Sequence, residues 1–233
     1  MLNALSIDVE DYFMVSAFES KVSRNDWTRY ESRVERNTLR ILDMLDEHGA
    51  RATFFTVGWV AEKHPSLIRE IHRRGHELAC HGYFHSLVYN LTAEEFRGDL
   101  RRTRKAIEAA GAGPVIGFRA PSFSVVERNM WALDILLKEG FKYDASIMPA
   151  KHARGGLRGA DRYPHWIHGL AEFPMSTAKL FGKTLPFSGG GYFRLFPYQL
   201  IKFGMEQSNK RGKPAIVYVH PWEFDPDQPR IEA

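Results

Sequence analysis

The chain has 233 residues, 44% hydrophobic and 26% charged, which is typical of one globular domain and unlike a disordered or fibrous chain. Its 32 basic and 28 acidic residues leave a net charge of +4, which argues against a dedicated nucleic-acid binder. A single cysteine excludes an intramolecular disulfide, and the lack of a secretory segment or an apolar run of about 18 residues predicts a soluble, cytoplasmic protein without a membrane span.

Strand-like and helix-like segments alternate along the chain. Four times, an amphipathic segment ends in a charged turn with glycine and is followed by an apolar run, at Gly49, Gly75, Gly140 and Gly212. Glycine just after a helix is the usual left-handed terminator. In chain order the pattern predicts a strand at Ala4–Val9, helices at Val34–Leu45 and from Pro65 through Ile71, a helix capped by Thr92 and Glu95, a helix at Met130–Leu137 and a strand at Ala215–Val219.

This alternation predicts an α/β fold with about six or seven parallel βα units. That number suits a closed or nearly closed barrel better than an open sheet. Between Lys151 and Phe196 the helical period disappears, and we expect loops and short strands there, including a strand at Glu172–Met175. Without a sharp change in composition, a single domain is predicted over residues 1–233.

Polar residues follow the predicted strands, where a βα barrel collects its functional side chains. Five segments contribute them, and their members are Asp8, Glu10 and Asp11, then His81 and His85, then Arg119, then Asp144, and finally His220. Acids, imidazoles and a guanidinium are therefore expected to converge on one rim of the barrel.

His81 and His85 have a spacing that suits metal chelation, with both imidazoles facing the same way if they lie on one helical turn. Two histidines and one carboxylate with an open position form the ligand set of a catalytic zinc-type site. The alternative is that one histidine caps a helix and the other lies on the surface.

Three acids at the end of the first strand have different expected roles. Asp8 and Glu10 share one face of the strand, whereas Asp11 points elsewhere or belongs to the turn. A hydrolytic metal site needs one carboxylate on the metal and a second, unligated, as the base toward water. A solvated acidic turn is the alternative, and the four apolar residues Ala4, Leu5, Ile7 and Val9 make it less attractive.

Arg119 and His220 also end strands. Arg119 is expected to hold the base carboxylate ionised and oriented through a bidentate pair, or else to be a loop arginine paired to any nearby acid. His220 is either a general acid for the leaving amine or a rim residue. Cys80, within a strand, is interpreted as buried filler.

Taken together, the motifs HGYFH, RAP and VHP resemble those of the NodB-type polysaccharide deacetylases, carbohydrate esterase family 4, over Ala4 to about Glu223. DVEDYF and HPWEFDPDQPR look more narrowly like the bacterial deacetylases found with exosortase/PEP-CTERM exopolysaccharide clusters. The resemblance implies a distorted (β/α)7 barrel with its active site at the C-terminal ends of the strands. Relatives of this subgroup usually continue, which leaves a C-terminal extension beyond Ala233 open.

The resemblance also implies roles for residues. Asp8 matches the catalytic base, His81 and His85 the metal ligands, Arg119 the partner of the base and His220 the acid. Glu10, in Asp-x-Glu spacing, is chosen over Asp11 as the third ligand. Asp144 matches the residue that orients the acid histidine. Val219 matches the small apolar residue beside the acetyl methyl, and Pro121 and Trp222 are assigned to the substrate pocket.

The implied reaction is hydrolysis of N-acetyl groups from an acetylated polysaccharide or oligosaccharide, with one divalent ion. Zinc is expected first, and cobalt, nickel or iron suit the same ligands. The alternatives are an allantoinase-like small-amide hydrolase on the same fold and a metal-free carbohydrate-binding relative. The aromatic residues of the loop region lean toward sugar stacking, although they could equally be core; they are Tyr163, Trp166, Phe187, Tyr192 and Phe193.

Overall fold

A computed structural model of the protein describes residues 1–150 and 154–231. The strands are β1 (Ala4–Val9), β2 (Thr53–Thr56), β3 (Glu77–Cys80), β4 (Gly117–Phe118), β5 (Tyr143–Asp144), β6 (His165–Ile167), β7 (Leu170–Glu172), β8 (Thr177–Leu180), β9 (Lys183–Pro186) and β10 (Ile216–Val219). The α-helices are α1 (Val34–Glu47), α2 (Gly58–Lys63), α3 (Pro65–Arg73), α4 (Ala93–Ala109), α5 (Trp131–Lys138), α6 (Gly190–Leu195) and α7 (Tyr198–Asn209).

The main sheet has the strand order β10-β1-β2-β3-β4-β5-β7-β6. Every neighbouring pair is parallel except β6 with β7, which is antiparallel. Beyond β7 the chain returns toward the other edge, where the amide of Ser176 donates to the carbonyl of Ile216 at 3.3 Å. The main sheet therefore forms a half-barrel, and the chain around Ser176 continues it toward β10. The predicted distorted (β/α)7 fold is confirmed.

Glycines end the helices as the sequence predicts. Gly49, Gly75, Gly140 and Gly212 all have φ between 58° and 84°, the left-handed region in which a residue with a Cβ is strained. Each of these glycines ends a helix and lets the chain turn toward the next strand. The same βα unit is thereby repeated along the chain. The capping box of Thr92 and Glu95 at the start of α4 is also confirmed.

Two apolar layers hold the sheet. The outer layer lies between strands and helices and includes Ile7, Val9 and Phe118, together with the buried face of α4. On α4 that face is formed by Phe96, Leu100, Thr103 and Ile107, while Arg101 and Lys105 are exposed. The basic residues between Arg97 and Lys105 therefore lie on the side of α4 that faces away from the core. The inner layer fills the barrel with side chains such as Phe55, Ala145 and Tyr218.

The region after residue 153 differs from the prediction in two respects. The expected strand at Glu172–Met175 is wrong, because β7 covers Leu170–Glu172 and Pro174, just beyond it, has no amide hydrogen for a ladder. The six-residue helix α6 lies in the region where loops and short strands were expected. The first residues of that region, 151–153, lie outside the described part of the chain. Among the described residues, no helix is long and apolar enough to cross a membrane.

Candidate active site

A cavity of about 240 Å³ opens at the carboxyl ends of the parallel strands. Its acids and imidazoles come from the ends of three strands and are Asp8 and Glu10 at the end of β1, His81 and His85 after β3, and His220 after β10. The expected convergence of acids and imidazoles on one rim is therefore present. Arg119 lies directly behind this lining and is fully buried.

Glu10, His81 and His85 offer three ligand atoms that all lie within 4.8 Å of one another. The Nδ1 atom of His81 donates to the carbonyl of Arg119 at 2.8 Å, so Nε2 is the ring nitrogen that remains free as a ligand. The buried Oε2 atom of Glu10 lies 2.6 Å from Nε2 of His85. The orientation of the two groups does not meet the geometry of a hydrogen bond. A carboxylate and two imidazoles in this arrangement fit a divalent cation.

The charge states of two of these groups suit metal binding. Burial alone raises the pKa of Glu10, but the positive fields of His85, His220 and His81 outweigh it and lower that pKa to about 2. Burial lowers the pKa of His81 to about 4, against the opposing pull of Asp8. Near neutral pH, an ionised carboxylate and a neutral imidazole are therefore available as ligands.

The loop that carries the two histidines is not helical. Gly82 has φ 71° and His85 has φ 52°, so the residues turn through the left-handed region instead of forming the helical turn that was considered. Asp99 of α4 holds the loop by accepting hydrogen bonds from the amide of Tyr83 at 2.9 and 3.1 Å. A histidine held at positive φ is strained, and such strain is concentrated at functional sites.

Asp8 is held from behind by Arg119. Nη1 of Arg119 donates to Oδ1 of Asp8 at 2.5 Å, and Nε donates to the carbonyl of Ala145 at 3.2 Å. The guanidinium also stacks 4.0 Å from the ring centroid of Phe55. The predicted pair exists, but the bidentate geometry is wrong, because Ala145 engages the second edge of the fork. Oδ2 of Asp8 is left facing the cavity, 4.0 Å from Nε2 of His81.

His220 approaches the same two carboxylates from the end of β10. Its Nε2 lies 3.6 Å from Oε1 of Glu10 and 4.0 Å from Oδ2 of Asp8. Its Nδ1 lies 3.3 Å from Oε2 of Glu223, and its ring stacks on Trp222 with 4.6 Å between centroids. Burial lowers the pKa of His220, but the neighbouring carboxylates of Glu223, Glu10 and Asp8 raise it to about 9.

Asp11 points away from the cavity, as expected. Its carboxylate accepts hydrogen bonds from the hydroxyl of Ser32 at 2.7 Å and from the amides of Arg33 and Val34 at 3.1 to 3.3 Å. Arg33 directly precedes α1 and Val34 is its first residue, so Asp11 caps the start of that helix. This position leaves Glu10 as the carboxylate of the histidine cluster.

The expected role of Asp144 is wrong. Tyr143 and Ala145, which flank it, pack with the inner layer, so its side chain points to the opposite face of the sheet, away from His220. Its Oδ1 accepts from the hydroxyl of Ser146 at 2.5 Å. Among the described residues, the carboxylate that contacts Nδ1 of His220 belongs to Glu223.

Glu223 is a site residue that sequence reasoning missed. It also accepts from the backbone amide of His220 at 2.8 Å, which gives the box-like pairing of residues three apart at the start of a helical turn. The spacing of His220 and Glu223 in HPWE was the available signal.

Of the three residues assigned to the substrate pocket, one lines the cavity and two do not. Trp222 lines the cavity together with Tyr218, Ser122 and Phe123. Val219 packs in the outer layer and Pro121 is buried near Gly82, so neither belongs to the described lining. The five loop aromatics also lie outside it, with Phe187 buried in a small separate core and Trp166 exposed on β6.

Two family models together match most of the chain. The model described as polysaccharide deacetylase matches residues 26–142. A second, described as a domain of unknown function (DUF3473), matches residues 145–233. In the structure both parts contribute strands to the same main sheet, since β2, β3 and β4 lie in the first matched part and β6, β7 and β10 in the second.

Curated relatives match over shorter stretches. A peptidoglycan-N-acetylglucosamine deacetylase from Bacillus cereus is 32% identical over 99 residues, which is 42% of this chain and 36% of the relative. A chitooligosaccharide deacetylase from Azorhizobium caulinodans is 34% identical over 85 residues, 36% of this chain and 40% of the relative. The matched regions thus span well under half the length of these relatives.

Solved structures share the fold over nearly the whole chain. A protein from Mycobacterium smegmatis, provisionally assigned as a polysaccharide deacetylase, has a TM-score of 0.68 at 24% identity and covers 97% of this chain and 78% of its own. A family 4 carbohydrate esterase from Streptomyces lividans in complex with acetate has a TM-score of 0.56 at 18% identity, with coverages of 95% and 79%. A CE4 family pseudoenzyme from Bacillus anthracis has a TM-score of 0.53 at 19% identity, with coverages of 94% and 54%.

Proposed function

This chain belongs to the polysaccharide deacetylase family, and on that premise we propose that it hydrolyses N-acetyl groups of an acetylated polysaccharide or oligosaccharide with the help of one divalent metal ion. The observation that carries the proposal is the meeting of three assemblies in one cavity. They are the ligand cluster of Glu10, His81 and His85, the pair of Asp8 and Arg119, and the pair of His220 and Glu223.

The ligand cluster would hold the ion through the carboxylate of Glu10 and ring nitrogens of His81 and His85. A divalent cation bound there would supply Lewis-acid polarisation of the acetamide carbonyl and a more acidic water. Zinc suits one carboxylate and two imidazoles, and cobalt, nickel or iron suit them as well.

Asp8 is the general base. Its Oδ1 is engaged by Arg119 at 2.5 Å, whereas Oδ2 faces the cavity within 4.0 Å of His81 and His220. An oxygen in that position can accept a proton from a water that attacks the acetyl carbon. Arg119 orients the carboxylate from behind and does not line the cavity.

His220 is the general acid. Its Nε2 lies opposite the ligand cluster, 3.6 Å from Oε1 of Glu10. Glu223 accepts a hydrogen bond from the backbone amide and lies 3.3 Å from Nδ1, and Trp222 stacks against the ring. A histidine oriented in this way can donate the proton of Nε2 to the departing sugar amine, which otherwise leaves poorly.

The shape of the surroundings favours a sugar polymer over a small amide. A second hollow of about 660 Å³ adjoins the catalytic cavity and shares Trp222 with it. A small closed pocket would suit an allantoinase-like hydrolase, whereas this arrangement leaves room for sugar residues on either side of Trp222. The names of the Bacillus cereus and Azorhizobium relatives support N-acetylated glycans as the substrate class.

A metal-free carbohydrate-binding protein is the second candidate, since a pseudoenzyme shares the fold. The retained base, ligands and acid argue against it, because a binding module has no need for all of them together. The wording DVEDYF and HPWEFDPDQPR supports, by resemblance, a role in exopolysaccharide biosynthesis of the exosortase/PEP-CTERM type.

Acetate release from N-acetylated chitooligosaccharides tests the proposal. We expect release by the wild-type protein supplied with zinc, and loss of at least about a hundredfold in turnover for Asp8→Asn, which removes the base. Asp161→Asn, at an exposed aspartate, is the matched control and should keep full activity. Binding of these glycans without acetate release would favour the binding module, and hydrolysis restricted to small cyclic amides would favour the allantoinase-like alternative.

A further inference from the structure

Two fully buried carboxyl groups lie side by side on β5 and β7, on the face of the sheet opposite the catalytic cavity. Asp144 and Glu172 are register partners, and neither side chain reaches solvent. Oδ2 of Asp144 and Oε2 of Glu172 receive no hydrogen bond from an N–H or hydroxyl of the described residues, and the two carboxyls are hydrogen-bond neighbours. Two ionised carboxylates carry no donor, so one proton shared between them satisfies both oxygens.

Glu172 is the member that keeps this proton. Burial raises the pKa of Glu172 well above 4.5, and the negative charge of Asp144 raises it further, against the smaller opposing effect of Arg119. Burial also raises the pKa of Asp144, but hydrogen bonds from Glu172 and Ser146 counteract that increase. On the other side of β7, the register partner of Glu172 is His165 of β6. The neutral acid of Glu172 therefore donates to the carboxylate of Asp144.

The pair fastens the segment that follows β5. Oδ1 of Asp144 accepts from the hydroxyl of Ser146 at 2.5 Å, and Oε1 of Glu172 accepts from the amide of Ile147 at 3.1 Å. Two consecutive residues are thus tied to two neighbouring strands. Both hydrogen bonds are buried. Breaking either one would leave a buried polar group without a partner, which is unfavourable.

The same segment is hydrogen-bonded to Arg119 and to Ala120. The carbonyl of Ala145 accepts from Nε of Arg119 at 3.2 Å, and the hydroxyl of Ser146 accepts from the amide of Ala120 at 2.8 Å. Arg119 in turn donates to Oδ1 of Asp8 at 2.5 Å. Hydrogen bonds and the short stretches of backbone between them therefore connect the buried acid pair to the carboxylate in the cavity.

We propose that Asp144 and Glu172 act as a proton-sharing positioning pair, which sets the orientation of Arg119 and, through it, of the base Asp8. This inference rests on the proposed deacetylation, since Asp8 is the base of that reaction. Neither residue touches substrate. Their effect is expected in turnover and not in substrate binding, because Asp8 acts on the attacking water.

Three variants of the zinc-loaded protein test this role. Glu172→Ala removes the donor to Asp144, and we expect kcat for acetate release to fall about tenfold or more, with KM and zinc content unchanged. Glu172→Gln keeps a donor in the same place, and kcat should return to within about threefold of the wild type. Ser146→Ala, a small change, cuts the link to Ala120 and should also lower kcat without a change in KM.

A spectroscopic comparison identifies the proton itself. The infrared difference between wild type and Glu172→Gln should contain the carbonyl stretch of a neutral carboxylic acid near neutral pH. The proposal is overturned if that band is absent, or if folded Glu172→Ala and Ser146→Ala both keep wild-type kcat. It is equally overturned if Glu172→Gln is as impaired as Glu172→Ala. Inactivity of the wild type toward all N-acetylated glycans would instead refute the proposed function, while the infrared result would still decide whether the proton is shared.

Discussion

Two buried glutamates, at opposite faces of the same sheet, have opposite charge states. Glu10 and Glu172 are both almost completely inaccessible to solvent, and burial raises the pKa of each. Glu10 is surrounded by His85, His220 and His81, and its pKa falls to about 2. Glu172 lies beside the negative charge of Asp144, and its pKa rises well above 4.5.

The difference shows that the neighbours, and not burial alone, decide whether an enclosed carboxyl is charged. At the cavity, imidazoles stabilise the ionised form that a cation requires. Behind the cavity, a second acid stabilises the neutral form, which can donate a hydrogen bond. The same residue type thereby presents an ionised carboxylate on one face of the sheet and a neutral hydrogen-bond donor on the other.

The largest expected effect comes from removing an imidazole beside Glu10. In His81→Ala or His85→Ala, one of three ligands is lost, so bound metal and acetate release should disappear together. Elemental analysis and the acetate assay on the same sample check this. His168→Ala is the matched control, because that side chain is exposed. Retention of stoichiometric metal in either variant would show that the ligand cluster is wrongly assigned.

His220→Ala should cause the next largest effect. Turnover should fall about a hundredfold or more, the usual scale for a positioned proton donor, while metal content and fold are preserved. The defect should shrink for an activated acetyl ester, since its leaving group needs little protonation. Steady-state kinetics with both substrates measure this. Loss of metal in His220→Ala would make His220 a ligand instead.

The acid pair should give stability an unusual dependence on pH. The pKa of Glu172 is raised in the folded state, so the stability it contributes is fully present below about pH 4.5. Above that value the unfolded chain releases its proton while the folded protein keeps it, and stability falls by up to about 1.4 kcal/mol per pH unit. The other charged or titratable groups near Glu172 are Asp144, Arg119 and His165.

Urea unfolding of wild type and Glu172→Gln across this range measures the slope. The amide does not titrate, so the difference in unfolding free energy should move steadily in favour of Glu172→Gln as the pH rises. Parallel curves for the two proteins would mean that Glu172 has no raised pKa in the fold.

The smallest expected effect separates Asp11 from Glu10. Asp11 caps α1, so Asp11→Ala should lower the free energy of unfolding by about 1 kcal/mol and leave metal binding intact. Thr92→Ala at the cap of α4 is the matched control for losing a cap. Loss of metal in Asp11→Ala together with its retention in Glu10→Ala would reverse the assignment.

Much of the site could be predicted because β1 is regular. The strand runs to Val9, as expected, so the alternation of side chains separates Glu10 from Asp11 correctly. Charged turns with glycine likewise place the strand ends that carry His81 and His220. Which residues share a face can be read from the sequence when they lie a few positions apart on one strand.

The failures involve residues whose partners come from elsewhere in the fold. Asp144 lies in a strand of only two residues, in which Tyr143 is half-buried and Asp144 is buried. So short a strand has no alternation of apolar and polar residues to indicate which face points inward. Its true neighbour, Glu172, is 28 residues away and becomes adjacent only through the pairing of β5 with β7. Ala145 engages Arg119 through a backbone carbonyl, a contact that residue type cannot predict.

The measurement that tests the central claim most directly is a zinc titration of chelator-treated protein, followed simultaneously by bound metal and by acetate release from an N-acetylated chitooligosaccharide. With Glu10, His81 and His85 as ligands, activity should be absent without metal, rise in proportion to bound zinc and saturate at one ion per chain. Glu10→Ala should bind and respond only weakly in the same titration. Full acetate release by the metal-free protein would contradict the account, as would an ion that binds to Glu10→Ala as tightly as to the wild type.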